Sequence, residues 1–423
     1  MREGEAYLDI VWRQFKKNRL AYVCLWLVGG LMLQAIFAPL IASNVPFVFH
    51  DGQKTIYPWF YHIFHPSQAI DTVFNMAMVG FLPWLLVAIL SNWSAWLGGW
   101  SGRKRLALVA IEAFVVWAAM MTVAYTPGLH PGDPYGERDF PTDVSQNPQQ
   151  YHGLFAPLPF GPAEIDLPSR LQPPHLSPHP PEKITKFNEQ YTHWLGTNFN
   201  GEDVLTEMLY GTRISMTVGV VAVSIYLTIG IIIGSVAGYF GGLMDLVLSR
   251  IIEIVLLFPT LFLILTLVAL LGQSAQASEQ GGKRIYIAMV VIGITGWTGI
   301  ARLTRGEVLK QRSLDYTLAA RALGASHWRV LFRHILPNSL SPALVSIPFG
   351  ISGAIVTEAT LSLLGFGAEP GQPSWGALLR VAYDNNHSWW MAVFPSLAIF
   401  FTLTVFNLVG NGLRDAMDPR LRI

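Results

Sequence analysis

Three charged residues lie inside long apolar stretches of the sequence, where an ionised group is costly. Arg250 and Glu253 share one stretch, and Glu358 lies in another. Charges at membrane depth usually face the protein interior or water, and they mark either a solute pathway or a packing contact. In the pathway interpretation, Glu358 would meet a cationic group of a solute. The packing interpretation pairs Arg250 with Glu253 or Glu358, and it is favoured because Arg250 and Glu253 are one helical turn apart.

Patterns for catalysis or metal binding are weak in this sequence. A Gly-x4-Gly-Lys-Ser/Thr phosphate loop is missing, since Gly281-Gly-Lys-Arg284 lacks the hydroxyl residue. Any step that uses ATP therefore needs another chain, and we expect no catalytic residue here. Seven histidines are scattered at irregular spacing through predicted outer loops: His50, His62, His65, His130, His152, His175 and His179. We expect no metal site, with a nickel ligand set as the alternative.

The composition indicates a membrane protein. Of the 423 residues 52% are hydrophobic and only 13% are charged, whereas soluble domains carry about 25% charged residues. The net charge of +1 does not point to a nucleic-acid partner. Eight stretches are long and apolar enough to cross a bilayer: Leu20–Ile41, Asn75–Leu97, Leu106–Tyr125, Ile214–Tyr239, Leu246–Leu271, Ile285–Leu303, Leu340–Phe366 and Met391–Leu413. We predict an all-α polytopic membrane protein with about eight transmembrane helices, the first of them an uncleaved anchor.

Lysine and arginine residues fix the expected orientation. They cluster in 13–19, 103–105, 302–333 and 414–422. With an even number of spans all four clusters fall on one side, which the positive-inside rule makes the cytoplasm. Both termini are therefore expected in the cytoplasm, and only Lys283 and Arg284 disagree.

The spans divide the chain into five segments. These are 1–43 with the first span, an outer loop at 44–74, a hairpin of two spans at 75–125, a Pro-rich outer loop at 126–212, and a core at 213–423. The prolines around Pro173-Pro174 and Pro178 to Pro181 favour extended structure and turns. The Pro-rich loop is either a tether with little structure or a cap that meets a solute-binding protein.

Three further features bear on packing. Small residues at Gly230, Gly234 and Gly238 allow close helix approach, within the core by default or at a subunit interface. Pro259 predicts a kink inside the fifth span. Glu112 in the hairpin is either a packing contact or lies near a cavity.

The segment 305–338 contains the most informative polar stretch. Leu318–Leu323 predicts a helix and Gly324 a break. A second short helix follows, ended by Pro337. Its apolar face holds Trp328, Leu331, Phe332 and Ile335, with Arg329 and Arg333 on another face. Amphipathicity alone favours a helix on the membrane surface over a helix pair that fills a groove on a soluble partner.

The order of residues reverses that preference. Ala319-Ala320, Gly324 and Leu336-Pro337 resemble the coupling loop of ATP-binding-cassette (ABC) importer permeases, whose usual pattern begins Glu-Ala-Ala. Leu318 stands in place of the glutamate, so the contact should depend on packing and on Arg329 or Arg333.

Further motifs are similar to the second-subunit (DppC/OppC-like) permeases of the dipeptide/oligopeptide/nickel family, most of all the microcin-C/oligopeptide (YejE-like) branch. They are Phe15-Lys-Lys-Asn-Arg-Leu20, Phe37-Ala-Pro-Leu40, His193-Trp-Leu-Gly-Thr-Asn198, Gly201-Glu-Asp-Val-Leu205, Leu209-Tyr-Gly-Thr-Arg-Ile-Ser215, Gly238-Tyr-Phe-Gly-Gly242, Phe258-Pro259, Leu363-Leu-Gly-Phe-Gly367 and Arg414-Asp-Ala-Met-Asp-Pro419. Against that branch, the hairpin 75–125 is an insertion.

The resemblance implies a type I importer core in the bacterial inner membrane that moves peptides by alternating access. It implies a second permease, two ATPases that bind ATP-Mg, and an extracytoplasmic solute-binding protein, with no cofactor on this chain. Residues implied in ATPase coupling are Ala319, Ala320, Gly324, Trp328, Arg329, Leu331, Phe332, Arg333, Ile335 and Pro337. The alternatives are import of nickel or another small solute, or a membrane-bound sensor or enzyme.

Overall fold

The computed structural model describes residues 7–66, 68–97, 102–126, 128–129, 132–136, 138–147, 149–174, 192–276, 283–369, 371–385 and 388–418. The predictions on His130, His175, His179, Pro178 to Pro181 and Pro419 lie outside these residues. The chain forms two compact units. Unit 1 contains 1–30, 215–384 and 392–423, and unit 2 contains 31–214 and 385–391.

The chain is mostly helical. In chain order the α-helices α1 to α18 are Tyr7–Lys17, Arg19–Ile36, Ala38–Ile41, Pro58–His62, Ala69–Leu97, Gly102–Tyr125, Phe140–Gln146, Val204–Phe240, Gly242–Leu257, Thr260–Gln276, Arg284–Thr295, Trp297–Arg312, Asp315–Ala322, His327–Arg329, Leu336–Ser339, Ser341–Leu363, Trp375–Asp384 and Trp389–Met417. A π-helical turn, Val330–Ile335, lies between α14 and α15, and a 3₁₀ turn occupies Leu167–Ser169. The strands β1 to β3 are Val48–Asp51, Thr55–Ile56 and Tyr151–Leu154.

The helices confirm a polytopic membrane protein. Within the described residues seven spans are long and apolar enough to cross a bilayer, or eight if one bent pair of helices counts as a span. That pair is α9 and α10, which meet at 83° around Phe258 and Pro259. The kink predicted at Pro259 is therefore confirmed, and it is large enough to divide the predicted fifth span, Leu246–Leu271, into two helices. Proline pushes the residue before it out of the helical region, and Phe258 is extended here.

The three glycines of α8 form a close helix contact inside unit 1. A Cβ at Gly230 would lie 2.6 Å from Cβ of Ile300, and one at Gly238 would lie 2.8 Å from the carbonyl oxygen of Arg305. A Cβ at Gly234 would meet the carbonyl oxygen of Ala301. The glycines thus pack α8 against α12 at a distance that a larger residue would not permit.

Unit 2 contains folded structure where the sequence suggested a loop. The strands form an antiparallel sheet in the order β2-β1-β3, so segments 44–74 and 126–212 pair with each other. Phe49 of β1 is buried against Phe140 of α7, with the ring centroids 5.0 Å apart. The interpretation of 126–212 as a tether with little structure is wrong for the described part. Its prolines permit a strand, a short helix and turns that a partner segment stabilises.

Arg138 fastens this sheet to α7. Its guanidinium lies 4.8 Å from the Phe49 ring and donates to Asp143 at 2.6 Å and to Asp51 at 3.2 Å. Burial alone would lower the pKa of Arg138, but these hydrogen bonds outweigh it and raise the pKa above its usual value.

The hairpin predicted at 75–125 consists of α5 and α6. Glu112 accepts a hydrogen bond from Ser91 Oγ at 2.9 Å, and Trp84 Nε1 donates to the carbonyl of Val109 at 3.2 Å. Glu112 is therefore a packing contact within the hairpin. Its carboxylate is half-buried and joins the two helices where an unpaired charge would be expensive.

Candidate functional site

The segment Asp315–Pro337 begins with a helix that ends in a Schellman motif. After α13 the amide of Gly324 donates to the carbonyl of Arg321 at 2.9 Å, and the amide of Ala325 donates to that of Ala320 at 3.1 Å. These two bonds satisfy carbonyls that a helix end leaves open. The motif needs a left-handed residue, and Gly324 has φ of +80°. Glycine takes this conformation without strain, which explains its position here.

The second helix starts at a capped residue and contains a π-helical turn. The Ser326 side chain accepts from the amide of Arg329 at 3.4 Å. The helical path then runs through Val330–Ile335 and continues in α15 to Ser339. The prediction that Pro337 ends this element is wrong. Pro337 lies in the first turn of α15, where its missing N–H would have no helical partner in any case.

The four apolar residues predicted on one face of this helix divide into two pairs. Leu331 and Ile335 are buried with Tyr239 of α8 and Val308 of α12. Trp328 and Phe332 point to the outside and stack on each other, with their ring centroids 5.6 Å apart. The π-helical turn changes the angular spacing, so positions three apart, such as Trp328 and Leu331, do not share one face here, whereas positions four apart do.

Polar contacts hold the segment to its own unit. The Tyr239 hydroxyl and His327 Nδ1 are 3.0 Å apart. The Arg321 guanidinium lies 5.2 Å from the Tyr239 ring. The Thr317 hydroxyl donates to the carbonyl of Gln311 at 2.8 Å. Both short helices are therefore tied to the ends of α8 and α12.

The outer face of the segment carries the remaining predicted residues. Arg329, Arg333 and Pro337 are exposed, as is Ala319, while Ala320 is half-buried under the Gly324 turn. Two more apolar side chains, Leu318 and Leu323, are also exposed. Together, Leu318, Leu323, Trp328 and Phe332 are called the outer apolar patch below.

The three charges in apolar stretches do not meet at one place. Arg250 and Glu253 are exposed, and Arg250 Nη1 lies 2.5 Å from Glu253 Oε2. This is the i, i+3 pair that the packing interpretation expected. Glu358 is fully buried, and Ser362 Oγ donates to its Oε1 at 2.7 Å. The hydroxyls of Ser215 and Ser374 lie beside the same carboxyl group. Glu358 makes no salt bridge to any described residue, so of the two carboxylates suggested as partners of Arg250 it is Glu253 that pairs with it.

Arg213 belongs to the motif Leu209–Ser215, but the sequence alone did not predict what it contacts. Arg213 is fully buried in unit 2 and donates to Asp71 Oδ1 and to the carbonyl of Ala35, both at 2.7 Å. It also reaches the carbonyl of Ile36 at 3.3 Å. These are the last residues of α2, where carbonyls lack helical partners and attract a cation.

Helix α17 was also missed. Trp375, Leu378 and Ala382 are buried at positions i, i+3 and i+7. This spacing was visible in the sequence, but ten residues are too few to cross a membrane, and a search for spans passes over them.

The histidines do not form a metal centre in the part of the chain that the structure describes. There, no three side chains of His, Cys, Asp or Glu are grouped so that they could hold an ion. His50 and His152 are direct neighbours on β1 and β3, but only as a pair.

Two family models match this chain. Residues 230–423 match the binding-protein-dependent transport system inner membrane component. Residues 6–61 match the N-terminal transmembrane domain of oligopeptide transport permease C. The intervening residues 62–229, which include the hairpin, α7 and β3, are covered by neither.

Curated relatives agree with these matches. The glutathione transport system permease protein GsiD of Pectobacterium atrosepticum is 41% identical over 231 residues, 54% of this chain and 73% of the relative. The dipeptide transport system permease protein DppC of Bacillus subtilis is 38% identical over 255 residues, 59% of this chain and 77% of the relative. The peptidoglycan transport system permease protein YejE of Agrobacterium fabrum is 36% identical over 230 residues, 54% of this chain and 57% of the relative.

The motif resemblance is thus confirmed, and with it the expectation of a translocation subunit rather than an enzyme. The chain belongs to the family of binding-protein-dependent transport system inner membrane components, as a multi-pass permease subunit of an ABC transporter.

Proposed function

We propose that this chain is the permease subunit of an importer for peptides or peptide-like solutes. Relatives named for glutathione, dipeptide and peptidoglycan transport support this solute class, because each name refers to a compound that contains peptide bonds. The assembly would contain a second permease, two ATPases that bind ATP-Mg, and an extracytoplasmic solute-binding protein. The core would occupy 213–423, and both termini would lie in the cytoplasm.

The outer apolar patch carries the proposal. Soluble surfaces seldom expose a stacked tryptophan and phenylalanine on a short segment that also exposes two leucines, and such exposure marks an interaction site. The helices below it are fixed to α8 and α12, so a partner that moves the patch also moves those helices. The patch is therefore the proposed ATPase contact, with Arg329 and Arg333 at its edge.

Alternating access follows from this arrangement. ATP binding closes the two ATPases, and the segment Asp315–Pro337 transmits the movement to the spans. A ligand shifts a conformational equilibrium only through a difference in its interaction with the two states. We place that difference at the contact between the ATPase and the outer apolar patch.

A substitution at Gly324 tests this function. Open space surrounds Gly324, so Gly324→Arg does not clash within the chain, but it forces arginine into a left-handed conformation beside the patch. We expect loss of peptide uptake and of ATPase copurification, with the variant still present in the membrane. Gly324→Asn is the matched control, because asparagine tolerates this conformation. Normal uptake by a stable Gly324→Arg protein would refute the proposed function.

The same cells distinguish the solute classes. Uptake of a labelled tripeptide should fall when unlabelled peptide is added and should not respond to nickel. Competition by nickel alone would instead support a metal importer.

A further inference from the structure

A cavity of about 320 Å³ lies in unit 2, and most of its lining residues belong to the segment 62–229 that neither family model covers. It is framed by α4, the first turns of α5, the loop around Gly161, and the part of α8 near Arg213. The side chains that matter below are Trp59, Asp71, Asn75, Glu164, Tyr210 and Arg213. Its volume is at the lower end for small-molecule sites, about 300–1,000 Å³.

Four side chains in the cavity wall have donors that are already engaged. Arg213 donates to Asp71 and to two carbonyls of α2. The Trp59 indole N–H donates to the carbonyl of Pro39 at 2.9 Å. The Tyr210 hydroxyl donates to the carbonyl of Ala42 at 3.0 Å, and the Asn75 amide donates to the carbonyl of Ile63 at 3.0 Å.

The acceptors still have capacity. Asn75 is 95% buried, and its Oδ1 has no hydrogen-bond partner among the described residues. Leaving a buried acceptor unpaired is costly, so such an atom is unusual in a native structure. Asp71 presents a carboxylate of which Oδ1 alone accepts from Arg213. A hydrogen-bond donor entering the cavity would satisfy these oxygens.

The charge of the wall favours a cation. Asp71 and Glu164 contribute two negative charges and Arg213 one positive charge, which leaves −1 with His62 and His65 counted as neutral. Trp59 adds an aromatic surface, and ring faces attract ammonium groups.

We propose that this cavity binds a primary ammonium group, with Asn75 Oδ1 and the Asp71 carboxylate as acceptors. A primary ammonium carries three donors and one positive charge, which matches both the free acceptors and the net charge. Two sources have this chemistry: the amino terminus of a small peptide, and the ethanolamine headgroup of a lipid beside the hairpin α5–α6.

Binding to the full chain in phosphatidylcholine nanodiscs tests the proposal. Four probes are titrated by calorimetry: dialanine, N-acetyl-dialanine, glycerophosphoethanolamine and glycerophosphocholine. We expect at least one primary amine to bind, and its acetylated or trimethylated counterpart to bind at least about tenfold more weakly, as for a lost charged hydrogen bond. Binding of dialanine assigns the site to a solute, and binding of glycerophosphoethanolamine assigns it to a lipid headgroup.

Two variants localise the binding. Asn75→Leu removes the free acceptor and should weaken the amine at least about tenfold. Asn75→Asp keeps an acceptor, adds a negative charge and should tighten it. Asn147→Leu, an exposed asparagine outside this cavity, is the matched control and should have no effect.

Three results would overturn the proposal: no binding of either amine at millimolar concentration, equal binding of the blocked counterparts, or unchanged affinity in both Asn75 variants. The probe comparison uses the wild-type chain and stands even if a variant fails to fold. Because no ATPase is present, failure here is separate from failure of the proposed transport function.

Discussion

Truncation of Trp328 and Phe332 should remove ATPase docking without unfolding the chain. Trp328 is 61% exposed and Phe332 57% exposed. A large aromatic side chain buries roughly 150–250 Å² in total, so the exposed parts correspond to about 150 Å² and about 100 Å². At about 25 cal/mol per Å², covering them would contribute at most about 4 and about 2.5 kcal/mol.

Association also has ordering costs, so the measurable loss is smaller than these areas suggest. We expect each alanine substitution to weaken the binding free energy by about 2 kcal/mol, which corresponds to a roughly 30-fold larger dissociation constant. The assay is titration of the copurifying ATPase onto the permease pair in nanodiscs. Thermal unfolding of the same samples should be unchanged, because exposed side chains contribute little to stability.

The buried pair on the same helix gives the contrast. Leu331→Ala should lower the free energy of unfolding by about 2–5 kcal/mol, because Leu331 is packed against Tyr239 and Val308. A stable Trp328→Ala, Phe332→Ala double variant that binds the ATPase with wild-type affinity would refute the assignment of the two faces. It would support the alternative in which this helix rests on the membrane surface.

Three further predictions test the reasoning elsewhere. Gly324→Ala should destabilise the chain by about 1–2 kcal/mol, because the backbone at this position is left-handed. Gly306→Ala, in an ordinary helix with open space around it, should stabilise the chain by about 0.5–1 kcal/mol. Thermal unfolding compares the two variants, and equal effects would contradict the Schellman motif. Arg213→Ala should cost about 3–5 kcal/mol, because it leaves Asp71 and two helix-end carbonyls unpaired, as measured by unfolding in detergent; a near-neutral result would mean that the buried pair is not formed. Glu358→Gln should lower the free energy of unfolding by less than about 2 kcal/mol, since an amide oxygen still accepts from Ser362. Glu358→Ala should lower it by about 2–4 kcal/mol, because it leaves a cavity. Full stability of the alanine variant would contradict the buried contact between Glu358 and Ser362.

The helix-breaking glycine shows what a sequence can predict well. Gly324 follows a run of helix-forming alanines, and glycine after such a run typically ends the helix in a left-handed conformation. The observed Schellman motif is one of the few motifs that do this. The separation of the following apolar residues into a buried pair and an exposed pair was harder to predict. It depends on the π-helical turn at Val330–Ile335, whereas a periodicity analysis assumes a uniform helix.

The three-stranded sheet of unit 2 could not be predicted from the sequence, for a different reason. Phe49 in β1 pairs with Gly153 in β3, about one hundred residues later and beyond two membrane-spanning helices. Each strand has only four residues or fewer, and a short strand alone has no clear period. Its stability comes from a partner segment and from Arg138, so the information is in the pairing rather than in either segment.

The same argument explains Glu358. A carboxylate in an apolar stretch indicates only that burial must be compensated, and the nearest cation in the sequence is a natural candidate. In the structure its partner is a hydroxyl group, Ser362 Oγ, and the hydroxyls of Ser215 and Ser374 lie beside the same carboxyl group. Serine is too common for such a set to be visible in the sequence, whereas a single arginine is conspicuous.

In the proposed ATPase contact, rigidity and docking would therefore be divided between two pairs of residues of one short helix. Leu331 and Ile335 fix the helix to α8 and α12, while Trp328 and Phe332 remain outside for a partner. If all four packed inward, a partner would have nothing to hold. If all four faced outward, the segment would move without carrying the spans with it. A lever needs both properties, and the π-helical turn supplies them within eight residues by rotating one pair away from the other.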